Sequence, residues 1–292
     1  MPPRSPAAPI ALQFPYSAAL GQISKRAYHV TKARAAALPI TVRVQNLGDT
    51  PLTVTPTLHL PGPQPRQFPH AALTVQPHAI AEAAWTVDAA AALDVCEIRH
   101  LRVTAACEQA PNILPLALPM LVDGELDEIL ARFPKQARLP IGETARWQAR
   151  TGHGKQVFSS PDGKTWRMDL AFTRLGDAWA YPYFTMPGPI DPTVFSGIVL
   201  RARAMKRASN NMLILVEGDD HRDIRANDLY VADGQWHSVY VPFDQLRYFT
   251  PGMQNEPLHL DRITALSVGL VSRELTNTLE VSDLVLVGKG PP

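Results

Sequence analysis

Cysteine is scarce in this chain, with only Cys96 and Cys107 among 292 residues. Both are read as lying on one extended stretch, where about 3.3 Å per residue would set them roughly 35 Å apart. A disulfide spans far less, so buried free thiols are expected instead of a cross-link. Charge of one sign is also missing: 28 Lys and Arg face 27 Asp and Glu, for a net charge of +1. There is no concentrated basic stretch, and Lys206-Arg207 is only a turn-sized pair. A nucleic-acid partner, which needs a positive face, is therefore not expected. The His residues show no His-x-x-x-His spacing and the cysteines no Cys-x-x-Cys spacing, which argues against zinc. Neither a Gly-x-Ser-x-Gly elbow nor a phosphate-cradling glycine loop occurs. Long hydrophobic runs are lacking as well. The most apolar segment, residues 113–122, is interrupted by Pro115 and Pro119 and is too short to span a bilayer. No apolar core of a signal peptide precedes Gln13. The expectation is a soluble protein without a membrane partner. Secreted and cytoplasmic placement both stay open, since the sequence reads equally well as a segment of a longer chain.

Proline, by contrast, is abundant, at 28 residues, and recurs throughout. It is excluded from helix interiors and from central ladder positions, so many short strands joined by loops are expected. Hydrophobic residues make up 46% of the chain, enough for packed cores. Ile40, Val42 and Val44 alternate with polar neighbours, the mark of a half-buried strand. Leu52 with Val54, Leu58 with Leu60, Leu73 with Val75, Trp85 with Val87, and Ile98 with Val103 continue that rhythm, and residues 113–122 form the last candidate. Residues 61–69 read as a proline-rich loop. Six or seven strands with turns between them fit an immunoglobulin-like β-sandwich over residues 1–123, N-terminal extension included. Residues 123–133 are the one good helix candidate, with Leu126, Ile129 and Leu130 on one face, acids at its start and Pro134 at its end. Residues 124–143 then serve as short helix and linker.

Residues 144–292 alternate more cleanly. Trp166, Met168, Leu170 and Phe172 share one side of a strand, and Trp179, Tyr181 and Tyr183 share one side of the next. The segment Asp233-Gly-Gln-Trp-His-Ser-Val-Tyr-Val-Pro-Phe-Asp-Gln-Leu246 starts with a tight Asp-Gly turn. It then reads as a strand with Trp236 and Tyr240 on one face and Val239 and Val241 on the other. About eight antiparallel strands over this region fit a jelly roll. The fold class expected for the whole chain is all-β.

Four strings carry a resemblance: Trp179-Ala-Tyr-Pro-Tyr-Phe184, Gly197-Ile-Val-Leu-Arg-Ala-Arg203, Gly234-Gln-Trp-His-Ser-Val-Tyr-Val-Pro-Phe243 and Leu279-Glu-Val-Ser-Asp-Leu-Val-Leu286. Over roughly residues 140–288 the chain resembles galactose-binding-like jelly rolls, above all the carbohydrate-binding modules appended to bacterial glycoside hydrolases. The same scaffold occurs in the complex I intermediate-associated family. The first half resembles the immunoglobulin-like spacer found beside such modules. The resemblance implies a non-catalytic accessory region that holds a polysaccharide or oligosaccharide near a catalytic domain or subunit lying elsewhere. Such modules often carry a structural calcium near the first strand. Residues 145–160 contain no acidic cluster to match it, and no other cofactor is implied.

The candidate ligand-binding residues follow from chemistry. Trp179, Tyr181 and Tyr183 form a row of rings on which the apolar C–H face of a pyranose can pack; burial under a loop or neighbouring chain is the alternative use of such a row. Arg201 and Arg203 are expected on the neighbouring strand of the same face, where guanidinium donors can pair adjacent hydroxyls or a uronate carboxylate. Glu217, Asp219, Asp220, His221 and Asp223 form the densest polar cluster; it reads as a surface turn or, for Glu217 and Asp219, as ligand contacts. No catalytic or metal-binding residue is assigned. Two alternatives stand beside the binding module. One is a structural protein–protein interaction module. The other is a hydrolase or lyase on the jelly-roll face, with Glu217 or an Asp as base beside Arg201.

Overall fold

The computed structural model describes residues 9–15, 22–23, 26–62, 65–218 and 222–288. They form two compact units, Met1–Asp123 and Gly124–Pro292, both built almost wholly from strands.

In the first unit, Ile10–Gln13, Leu38–Asn46 and Ile80–Val87 make one antiparallel sheet. A second sheet runs in the order Gln22–Ile23, Tyr28–Val30, Leu116–Val122, Arg99–Ala106, Leu52–Leu60, Arg66–Pro69, with Leu73–Val75 also on Leu52–Leu60. Leu38, Ile40, Val42 and Val44 are fully buried, as their alternation requires. Leu52–Leu60 is one continuous strand despite Pro56. Its flank is paired by Leu73–Val75 up to Val54 and by Arg66–Pro69 from Thr57 onward, so Pro56 sits beside the gap where no N–H is needed. Two expectations change here. Residues 61–69 are not simply a loop, because Arg66–Pro69 pairs as an edge strand, where proline is readily tolerated. Cys96 and Cys107 do not share a strand: Arg99–Ala106 lies between them, Cys96 in the turn before it and buried Cys107 just after. Both thiols are free.

The second unit opens with a helix shorter than expected, Leu126–Leu130, that buries Ile129 and Leu130. Within the stretch read as a linker, Lys135–Arg138 is a strand paired with the end of Thr276–Gly288. The rest is a jelly-roll sandwich of two antiparallel sheets. One, called the rear sheet, has the order Gly154–Ser159, Trp166–Phe172, Thr276–Gly288, Gly197–Ala204, His237–Pro242. The other, the front sheet, has the order Trp147–Gln148, Tyr183–Thr185, Ile263–Ser272, Ala208–Glu217, Arg222–Asn227, Arg247–Tyr248, with Trp179–Ala180 also on Ile263–Ser272. The chain crosses repeatedly between them. Trp166, Met168, Leu200, Leu213, Leu215, Leu266 and Leu284 from both sheets form one core, in which Trp147 and Trp166 stack with centroids 3.8 Å apart. The Asp233-Gly234 turn forms as read, with Gly234 at φ +82° and the Asp233 carboxylate accepting from the Gln235 N–H. The strand after it starts at His237, one residue past Trp236, and turns Val239 and Val241 inward.

Candidate ligand-binding face

The outer side of the front sheet is fixed by period-two geometry. On Ala208–Glu217, Leu213 and Leu215 enter the core, so Met212, Ile214 and Val216 point the other way and form an aliphatic stripe. Trp179 pairs with Val271 and Phe184 with Leu266 in one unbroken register, although the strand is interrupted at Tyr181-Pro182. Trp179, Tyr181 and Tyr183 therefore all reach the aliphatic stripe. Tyr181 packs closely against Gly269: a Cβ there would meet its Cδ1 at 2.4 Å and the Ala180 carbonyl oxygen at 2.2 Å. The rings of Trp179 and Tyr181 are close to parallel, 14° apart with centroids separated by 5.5 Å.

A line of charged and aromatic side chains crosses this face. Arg150 is placed by Gln156, whose amide accepts from the Arg150 N–H at 3.0 Å and donates to its carbonyl at 2.8 Å. The Arg150 guanidinium stands 4.8 Å from the Tyr183 ring centre and donates to the Tyr183 hydroxyl. It lies 3.9 Å from Asp223, which in turn pairs with Arg225 at 2.7 Å. Arg225 stacks on Phe249, 3.6 Å from the ring centre, and Phe249 is 62% exposed at the rim. Beside this line a groove of ≈ 250 Å³ is lined by Arg150, Asp177, Trp179, Tyr181, Arg225 and Val271, among others. Three buried polar atoms on the face have no hydrogen-bond partner among the described residues: Asp223 Oδ1, Arg225 Nε and Ser267 Oγ, the last on the residue paired with Ile214. Burial pushes the Tyr181 hydroxyl up to about 12, with Arg225 and Arg150 pulling the other way. Tyr183 is also raised by burial, against the same two arginines.

The aromatic row is thus on one face, but not as an open platform: Tyr181 is only 9% exposed, while Trp179 and Tyr183 are half-buried. Arg201 and Arg203 are not on this face. They belong to Gly197–Ala204 in the rear sheet, and both guanidiniums stack on Trp236, 5.0 and 4.7 Å from its ring centre. Adjacent strands in sequence are here in different sheets, because the chain crosses the sandwich between Tyr183–Thr185 and Gly197–Ala204. Glu217 is in the front sheet but turned inward, 3% exposed, where it accepts from the Tyr248 hydroxyl at 2.5 Å. Glu217 and Arg201 therefore do not share a site. Asp219, Asp220 and His221 lie outside the described residues. Of that polar cluster Asp223 is the member on the face. No three His, Cys, Asp or Glu side chains among the described residues gather as a metal site. Arg150, Asp177, Arg225 and Phe249 were not singled out from sequence. The alternation of Asp223, Arg225 and Asn227 with Ile224 and Ala226 is the signal that marks Arg225 as outward on a half-buried strand.

No family model and no curated protein matches the chain. Solved structures do resemble it. A family 11 carbohydrate-binding module from Clostridium thermocellum, determined in complex with a β-1,3-1,4-mixed-linked tetrasaccharide, aligns over 53% of this chain and 96% of its own, with 15% identity and a TM-score of 0.42. A family 30 carbohydrate-binding module of a cellulosomal cellulase of the same organism aligns over 54% of this chain and 99% of its own, with 10% identity and a TM-score of 0.40. An exo-β-agarase aligns over 53% of this chain and 25% of its own, with 13% identity and a TM-score of 0.35. Among the described residues no helix is long and apolar enough to cross a membrane.

Proposed function

We propose that the chain is a non-catalytic carbohydrate-binding region that accompanies a glycoside hydrolase, and that the outer face of the front sheet grips a polysaccharide or oligosaccharide. One observation carries the reading: rings and buried, unmatched polar atoms coincide on the same face. A pyranose offers both complements, an apolar C–H surface for Trp179 and hydroxyls that each donate and accept for Asp223, Arg225 and Ser267. Holding the glycan there raises its effective concentration near a catalytic domain or subunit supplied elsewhere, outside the cell if the partner enzyme is secreted. The first unit serves as a spacer in this reading.

Native affinity electrophoresis in gels containing plant, algal and bacterial polysaccharides tests it. At least one glycan is expected to retard the wild type, with retardation at least tenfold weaker in Trp179→Ala, about 1.4 kcal/mol or more. Passage through every gel without retardation would overturn the reading. Phe249, 62% exposed at the rim of the face, then favours a protein–protein interaction module, since an exposed ring suits a protein partner.

A further inference from the structure

We propose that Trp179 meets its ligand through its ring plane alone, because the protein itself takes up the indole's one hydrogen-bond donor, and that Asp177 and Gly152 are the positioning residues that enforce this. The inference rests on the glycan-binding reading and says how one residue of that site recognises its ligand.

The indole Nε1–H donates to Asp177 Oδ1 at 2.7 Å. An indole has no second polar atom, so what is left to offer is an apolar plane. Asp177 is itself held. His153 Nε2 lies 3.3 Å from its other oxygen, and Arg174 lies 3.9 Å away. The backbone of residues 151–153 clasps the same segment: Gly152 N–H and Thr151 Oγ1 both donate to the Trp179 carbonyl, at 3.1 and 2.7 Å, and His153 N–H donates to that of Asp177. Gly152 makes the fit possible. A Cβ at that position would meet the Asp177 carbonyl oxygen at 2.5 Å, Trp179 Nε1 at 2.7 Å and Asp177 Cγ at 3.0 Å, so the Asp177–Trp179 pair fills the space that glycine leaves. The indole also runs nearly parallel to the Tyr181 ring, with centroids 5.5 Å apart. The ring is thus fixed from two directions, its donor edge turned toward Asp177, and Trp179 lines the groove. A ring so placed selects for an apolar ligand surface and supplies no hydrogen bond of its own.

The test compares five substitutions in the full chain. Retardation is measured in the gel of whichever polysaccharide binds the wild type. The indole N–H resonance of Trp179, assigned by its loss in Trp179→Phe, is followed by NMR. Trp179→Phe keeps a plane without the donor and is expected to retain binding within about threefold, whereas Trp179→Ala loses tenfold or more. Asp177→Ala and Gly152→Ala are expected to shift the indole resonance and weaken retardation several-fold, with thermal melts confirming that they fold. Asp177→Asn, which keeps an acceptor, is expected to restore both. If Trp179→Phe falls as far as Trp179→Ala, the donor is used by the ligand and the inference is overturned. An indole resonance unmoved in Asp177→Ala overturns it as well. That NMR arm needs no glycan, so it still decides whether Asp177 holds the indole donor if every gel fails to retard the wild type and the glycan-binding reading itself falls.

Discussion

The two outer faces of the second unit carry the same kind of construction with opposite results. On the rear sheet, Asp169 pairs with Arg167 at 2.8 Å, Arg167 with Glu280 at 3.2 Å, Glu280 with Arg203 at 2.5 Å, and Arg203 stacks on Trp236. On the front sheet, Tyr183, Arg150, Asp223, Arg225 and Phe249 form a line of matching composition. Along the rear line each acid is satisfied: Glu280 is shared by two guanidiniums, and Asp169 also accepts from Thr278. The front face leaves Asp223 Oδ1, Arg225 Nε and Ser267 Oγ unmatched among the described residues. Buried polar groups are nearly always partnered, and leaving one alone costs more than a typical hydrogen bond returns. The same alphabet of Arg, acid and ring thus serves cross-strand cohesion on one face, and on the other leaves groups suited to an outside partner.

The comparison can be broken at several points. The largest effect is expected at Glu280, which is 8% exposed. Glu280→Ala removes the acid partner of Arg203 and one of the two that Arg167 has, and, because both arginines are partly exposed, stability should fall by about 2 kcal/mol in urea denaturation. Glycan retardation should not change; a loss there would mean that the rear face also binds. Next comes Asp223→Asn, which keeps the shape and removes the charge. Retardation should weaken about tenfold, roughly 1.4 kcal/mol, while the urea midpoint moves much less than in Glu280→Ala. Equal losses of stability from the two variants would erase the distinction between the faces. The smallest effect concerns pH. Hydrogen bonds from Arg167, opposed by burial and joined by Thr278, hold Asp169 below its ordinary 3.8. A depressed carboxylate contributes stability that is present above its unfolded pKa and lost as pH falls through the folded one. Stability should therefore decline as pH drops below about 4, and Asp169→Asn should flatten that decline by about half a kcal/mol, small because the pair is exposed. Identical acid profiles for the two proteins would show that the pair adds nothing.

Much of the fold was legible, and for a definite reason. Ile40, Val42 and Val44, like Trp166, Met168, Leu170 and Phe172, announce their buried side by alternation, because successive residues on a strand point to opposite faces. Proline misled locally. Residues 61–69 looked like a loop, yet Arg66–Pro69 pairs at an edge where a missing N–H does no harm. The helix ran shorter than its acidic start suggested, since one turn suffices to bury Ile129 and Leu130. The candidate site was legible only in part. Trp179, Tyr181 and Tyr183 share a face as their spacing requires, but nothing local says that Tyr181 rests on Gly269 and is largely covered. Arg201 and Arg203 alternate correctly and still belong to the other sheet.

What the order of residues determined alone is the side of its own strand to which each one turns. That follows from backbone geometry and needs no neighbour. Which strands then lie together was decided only by the tertiary structure: Arg150 beside Tyr183 and Asp223, and Arg201 with Arg203 on Trp236. Each of these partnerships joins residues distant in sequence or moves neighbours to opposite sheets. They arise because the chain crosses the sandwich again and again, and strand pairing between distant segments is settled by how the whole core packs.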